Sequence, residues 1–208
     1  KQHAGEILSA ACRSNSSPFV DVILPNLFGE HGRPFYNSFV STFCHQLASG
    51  EKPAIDVDRE LPLLHVQRAV AVLLDLTHSP GNRRIELSAP ITSVGDVLLQ
   101  LQSIRDNYLT GDLPDLSEPF TRDLFNTYRS YTIDNHWPIY PKVNTDERGE
   151  LFETVRARGG EAQVFFSTTR PGYTRGQHFH LHKVERFLVR RGSARIRLRK
   201  LLSDEVLE

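Results

Sequence analysis

Methionine is absent from this 208-residue sequence, where about four or five would be ordinary. With Lys1 rather than an initiator in first place, this is expected of a piece of a longer chain, or of a sequence from which some residues have been lost. Cysteine is nearly absent as well. Cys12 and Cys44 are too few and too isolated for a disulfide framework, so a reducing, cytoplasmic compartment is expected. Net charge is missing too: 25 Lys and Arg offset 25 Asp and Glu, which removes the electrostatic case for nucleic acid or an acidic membrane surface as partner. No run of about 18 apolar residues occurs, so no membrane span is expected. Neither an internal repeat nor a low-complexity tract is visible. What is present, 39% hydrophobic and 24% charged residues, suits a globular chain of one or two domains able to bury a core.

The chain has two textures. From Ala4 to about Tyr108, short apolar strands alternate with helical patterns, which predicts an α/β fold. Residues 19–24 read as a strand, 37–48 and 66–76 as amphipathic helices, 84–87 as a strand and 93–101 as a further helix. Pro80-Gly81-Asn82 and residues 110–114 punctuate this half, and 120–131 reads as a connecting helix. Beyond about Ile133 the pattern changes to strands separated by Gly and Asp turns, with 162–168, 185–189 and 194–198 as the strand candidates.

Chemistry concentrates in one stretch, Gly172-Tyr-Thr-Arg-Gly-Gln-His178-Phe-His180-Leu-His-Lys-Val-Glu185, closed by Gly192. On an extended backbone His178 and His180 leave the same face, and Glu185 can return to the same point after a short turn. Two neutral imidazoles and one carboxylate suit Zn²⁺, Fe²⁺, Mn²⁺ or Ni²⁺ with a position left open, and zinc is the metal expected first. His182 could compete with His180 for the metal, and is expected beside the site or in solvent. The spacing G-x5-H-x-H-x4-E-x6-G resembles the first motif of the cupin family at every fixed position. That resemblance implies an all-β double-stranded β-helix, or jelly roll, and a fourth histidine ligand from a second motif. No segment after Gly192 matches that motif.

The first half carries another resemblance. Leu24-Pro25-Asn26-Leu27-Phe28-Gly29 is similar to the R-x-x-N-x-[FY]-G segment of extended short-chain dehydrogenases/reductases, and Pro34-Phe35-Tyr36-Asn37-Ser38-Phe39 to the loop and helix that follow it. The resemblance implies that Asn26 and Asn37 lie near a nucleotide-sugar substrate. Leu63-Leu64-His65-Val66 resembles that family's hydrophobic-[HY]-V segment, with Gln67-Arg68 in place of its usual acidic pair and Ile23 in place of its Arg. Lys1 stands where the family's Tyr-x-x-x-Lys pair would put its lysine, which holds the nicotinamide ribose and lowers the pKa of the tyrosine. An ordinary surface lysine is the other reading. Neither that tyrosine nor the glycine-rich dinucleotide loop is present, so residues 1–208 alone are expected not to carry out reduction.

Taken in order, the chain resembles the bifunctional UDP-2-acetamido-2,6-dideoxy-hexosulose reductases of capsular and O-antigen sugar synthesis. The expected organisation is a C-terminal part of a Rossmann-type reductase domain at 1–115, a connecting helix at 116–132 and the first part of a cupin at 133–208. Asp146-Glu-Arg-Gly149-Glu-Leu-Phe-Glu153 and Thr174-Arg175-Gly176 fit that family's sugar-modifying cupin, which implies a substrate contact for Arg175. The resemblance further implies NADP(H), a UDP-activated amino-deoxy sugar of the L-fucosamine type, C3 epimerisation followed by C4 reduction, and a homodimer. A reductase carrying a non-catalytic, metal-stabilised binding or dimerisation module is the alternative. An Fe²⁺ dioxygenase accounts for the ligands but not for the reductase-like half. Arg195, Arg197 and Arg199 alternate with apolar residues and are expected on a solvated face ahead of a nucleotide-binding one. His31, His45, His78 and His136 lack partners at metal-ligand spacing, and Trp137 is expected to anchor the start of the barrel.

Overall fold

Serine side chains set where two core helices begin. Ser93 accepts a 2.9 Å hydrogen bond from the backbone N–H of Asp96, and Ser38 accepts one of 3.4 Å from that of Ser41, each satisfying a donor that the first helical turn leaves unpaired. The computed structural model describes residues 2–78, 81–136, 138–160 and 162–208. Lys1, Pro80 and Trp137 fall outside the described residues. Two compact units are present, Lys1–Tyr173 and Thr174–Glu208.

The first unit is mixed α/β. It runs α1 (Gln2–Ser14), β1 (Val20–Ile23), β2 (Asn26–Phe28), α2 (Phe39–Ala48), β3 (Glu60–His65), α3 (Val66–His78), β4 (Arg83–Glu86), β5 (Ile91–Ser93), α4 (Val94–Leu109), α5 (Pro119–Arg129), α6 (Ile133–His136), β6 (Asn144–Asp146), β7 (Gly149–Arg156) and β8 (Gln163–Ser167). β1 and β4 pair in parallel, with Val22 opposite Ile85, and β2 pairs in parallel with β3, with Phe28 opposite His65. Both pairings need the long crossovers that α2 and α3 supply. β5 adds antiparallel to β3, and β6, β7 and β8 form an antiparallel three-stranded sheet.

The core lies where α2, α4 and α5 meet β2 and β3. Val40, Cys44, Leu47, Val97, Leu101, Leu124 and Tyr128 are all essentially inaccessible to solvent. Each large apolar side chain buried this way contributes about 1.5–3 kcal/mol. α4 runs eight residues past the expected end at 101, because Ile104 and Tyr108 continue its buried face at helical spacing. The helix expected as a connector is a core element in its own right, with Leu124, Phe125 and Tyr128 buried and Pro119 at its start. Arg68, which replaces an acidic residue of the reductase pattern, reaches Asp123 of α5 at 2.8 Å. Both cysteines are free, and burial pushes the Cys44 thiol far up, which keeps it protonated and inert.

Among the described residues no helix is long and apolar enough to cross a membrane. The second unit contains one short antiparallel hairpin, β9 (Leu198–Arg199) with β10 (Val206–Leu207). The strands expected at 185–189 and 194–198 are not formed, apart from the hairpin's first residue. Their alternating pattern is real, but a strand exists only as half of a pair. No described strand offers 185–189 its hydrogen bonds, and Val184 and Leu188 stay 97% and 90% exposed. A closed barrel is likewise not formed among the described residues. Arg197 meets the Glu208 carboxylate at 3.2 Å and Arg195 binds its other oxygen, and all three arginines of the stripe are exposed.

Gly29 marks a tight passage in the first unit, against a side chain that cannot yield. A Cβ there would lie 2.4 Å from Val66 Cγ1 and 3.2 Å from Val66 Cβ. Val66 is β-branched and cannot swing aside. Gly29→Ala is expected to lower stability by about 1–3 kcal/mol through overpacking, read from the urea midpoint. A midpoint equal to that of the wild type would show that the passage is looser than described.

Candidate metal centre

Residues 174–197 run without helix or strand, so the positions of the candidate ligands are set by local turns. Gly176 and Gln177 both adopt positive φ, +101° and +68°, and redirect the chain immediately before His178. From that point His178 and His180 place their rings 4.8 Å apart at 71°. The chain then returns through Lys183, so that Glu185 Oε1 lies 3.3 Å from His180 Nε2. One ligand atom from each of His178, His180 and Glu185 falls within 4.8 Å of the other two. Four ligands at zinc-like bond lengths of about 2.1 Å stand roughly 3.4 Å apart. The His180–Glu185 separation already matches such an edge, and closing the widest gap takes about an ångström of side-chain motion. The donor set therefore fits a divalent cation. His182 is exposed and outside the cluster.

The other candidates are dispersed. Arg175 lies in the same unit, half-buried, three residues before His178. Asn26 opens β2 and is exposed, with its side-chain N–H donating to the Pro62 carbonyl at 3.2 Å. Asn37 is exposed in the turn before Ser38. Lys1 lies outside the described residues. The sequence reading missed a further pair: His65, 5% exposed, places Nε2 3.1 Å from Glu30 Oε2. Glu30 lines an open cleft of about 470 Å³ with His31, Asn126, Arg129, Ser130 and Ile133. The Leu63-Leu64-His65-Val66 segment pointed to the histidine. Its partner is 35 positions away and carried no signal.

Residues 144–208 match the polysaccharide biosynthesis C-terminal domain. The whole candidate centre lies inside that match. Over 212 aligned residues, the chain is 29% identical to the UDP-2-acetamido-2,6-beta-L-arabino-hexul-4-ose reductase of Pseudomonas aeruginosa. All of this chain is covered, but only 57% of that relative, so the chain spans little more than half the relative's length. Its structure is similar to that of the capsular polysaccharide assembling protein CapF from Staphylococcus aureus, with a TM-score of 0.72 and 27% identity over 84% of this chain and 48% of that one. A second CapF structure, solved with the inhibitor 3-isopropenyl-tropolone, gives 0.70 and 28% over 82% and 51%. The UDP-N-acetylglucosamine 4-epimerase of Methanobrevibacter ruminantium, at 15% identity and a TM-score of 0.54 over 62% of this chain and 51% of that one, shares the fold alone.

Within the matched domain the one carboxylate of the cluster is strongly engaged. Lys183 Nζ lies 2.9 Å from Glu185 Oε1. Through that hydrogen bond first, and its charge as well, Lys183 holds the Glu185 carboxyl below the usual glutamate range; slight burial opposes this, and His180 and His178 add to it. A carboxylate whose folded value is depressed contributes stability above its unfolded value and loses it as pH falls through the folded one. Carbon-detected titration of the metal-free protein is expected to place Glu185 below an ordinary glutamate, and Lys183→Met to move it back up. An unchanged titration in that variant would show that the contact is not maintained in solution.

Proposed function

We propose that the chain is part of a nucleotide-sugar-modifying enzyme of polysaccharide synthesis, in which a divalent metal, zinc foremost, is held by His178, His180 and Glu185. The observation that carries this is the convergence of those three ligand atoms within 4.8 Å, inside a segment matching a polysaccharide biosynthesis domain. Similarity along the whole of this chain to 57% of a UDP-hexulose reductase supports the substrate class, a UDP-activated 4-keto-6-deoxy amino sugar. The organisation that goes with this reading is a reductase part at 1–115, a connecting helix at 116–132 and the first part of a cupin at 133–208.

The chemistry follows from the ketone. A carbonyl at C4 acidifies the hydrogen on C3, so a base can take that proton and return it to the opposite face, inverting the centre. The cation, when bound, supplies a fixed positive charge for the oxygen that becomes negative as the proton leaves. His178, His180 and Glu185 hold that charge, and Arg175, three residues away in sequence, is assigned to the anionic part of the substrate. In the reductase half Asn26 and Asn37 are assigned to the sugar nucleotide and Lys1 to the nicotinamide ribose. Hydride from NADPH then traps the epimer as an alcohol at C4. The protein is expected to work in the cytoplasm as a homodimer.

A second reading has its own support. Val184, Leu188 and Leu181 are exposed beside the cluster in sequence, at 97%, 90% and 79%, as suits a metal-stabilised binding or dimerisation module that does not turn over. Solvent deuterium separates the two. Incubated with the keto sugar in D₂O without NADPH, the full-length enzyme is expected to place deuterium at C3. Absence of exchange would favour the binding module. His178→Ala is expected to reduce metal content from about one per chain towards zero and to lower the melting temperature, since a structural metal contributes folding energy. Equal metal content in that variant would reject the ligand assignment.

A further inference from the structure

We propose that Lys183 and the bound cation compete for the same oxygen of Glu185, so that Lys183 sets how tightly the centre holds its metal. This rests on the metal reading above and adds a residue to it. Glu185 Oε1 lies 3.3 Å from His180 Nε2 and 2.9 Å from Lys183 Nζ. The oxygen that stands at a ligand distance from the imidazole is therefore the one the ammonium already holds. The two imidazoles bind metal as neutral donors, which leaves Glu185 as the one negative charge of the triad. With Lys183 against it, that group is electrically balanced before any metal arrives.

A divalent cation at this oxygen faces the ammonium within a few ångströms. Like charges at that range repel, and the double charge of the metal doubles the effect. Lys183 lies two residues before Glu185, so it stays nearby whichever cation is held. Its side chain is 38% exposed, and its flexible stem lets the ammonium swing into water. The competition therefore weakens binding without abolishing it. A partly exposed ion pair of this kind contributes little to folding, so removing Lys183 should show in metal affinity and not in the stability of the metal-free protein.

The test is Zn²⁺ titration of the full-length protein against a chromophoric chelator, comparing wild type with Lys183→Met, Lys183→Arg and His178→Ala. Lys183→Met is expected to bind zinc about tenfold more tightly, with the gap narrowing as salt is raised, while Lys183→Arg stays with the wild type. If Lys183→Met fails to melt like the metal-free wild type, Lys183→Gln carries the same comparison. Zinc binding that is lost in His178→Ala but equal or weaker in Lys183→Met overturns the competition and leaves the metal centre standing. Zinc uptake that His178→Ala does not change overturns the centre itself, and the competition with it.

Discussion

The first unit is organised by how β2 ends. Phe28 is 3% exposed, with its ring edge-on to His65 at 5.3 Å and to Phe120 at 5.6 Å. Parallel pairing of β2 with β3 puts Phe28 opposite His65, and Gly29 lets the chain pass Val66 at the start of α3. Glu30 then turns back to His65. Three consecutive residues thus join a sheet, the start of a helix, the core helix α5 and one wall of a cleft. Aromatic edge contacts of this kind add about 0.5–1.5 kcal/mol beyond burial. Their larger effect is geometric, because they fix the direction in which the chain leaves the sheet.

The His65–Glu30 and His180–Glu185 contacts obey different physics. His65 is 5% exposed, so its imidazole must keep a partner or lose a hydrogen bond in full, while Glu30, at 27%, meets it from the cleft wall. His180 and Glu185 meet in a segment without regular structure, at 34% and 23% exposure, where water can replace either partner. The first arrangement ties a buried imidazole to a carboxylate at the cleft. The second leaves its donors free to rearrange, which the metal centre proposed above would require in order to close around an ion.

Much of this was legible in the sequence where a single element carried the signal. Helical periodicity located α2, α3 and α5 to within a few residues, and the helix read at 93–101 found the start of α4 but not its end. The spacing of His178, His180 and Glu185 foretold their convergence, since all three depend on one short stretch of backbone. What escaped depends on partners distant in sequence. The short strands β2 and β5 have little pattern of their own and exist through β3. The strand pattern at 185–189 met no such partner. Lys183 was read as part of a motif string, and only coordinates reveal that it takes the same carboxylate oxygen as His180.

The burial of α5 bears on inheritance. With Leu124, Phe125 and Tyr128 packed among Leu101, Ile104 and Tyr108, the helix behaves as the last piece of the α/β layer and not as a tether. A genetic crossover upstream of it would leave one product with an open greasy trough and hand the other an orphaned amphipathic rod. A joint just after Arg129 would still part buried Thr132, and Tyr131 whose hydroxyl donates to the Gly32 carbonyl, from the layer they pack on. Recombinants that stay folded should therefore inherit α5 together with α2 and α4, which makes that helix a marker of the first unit's lineage.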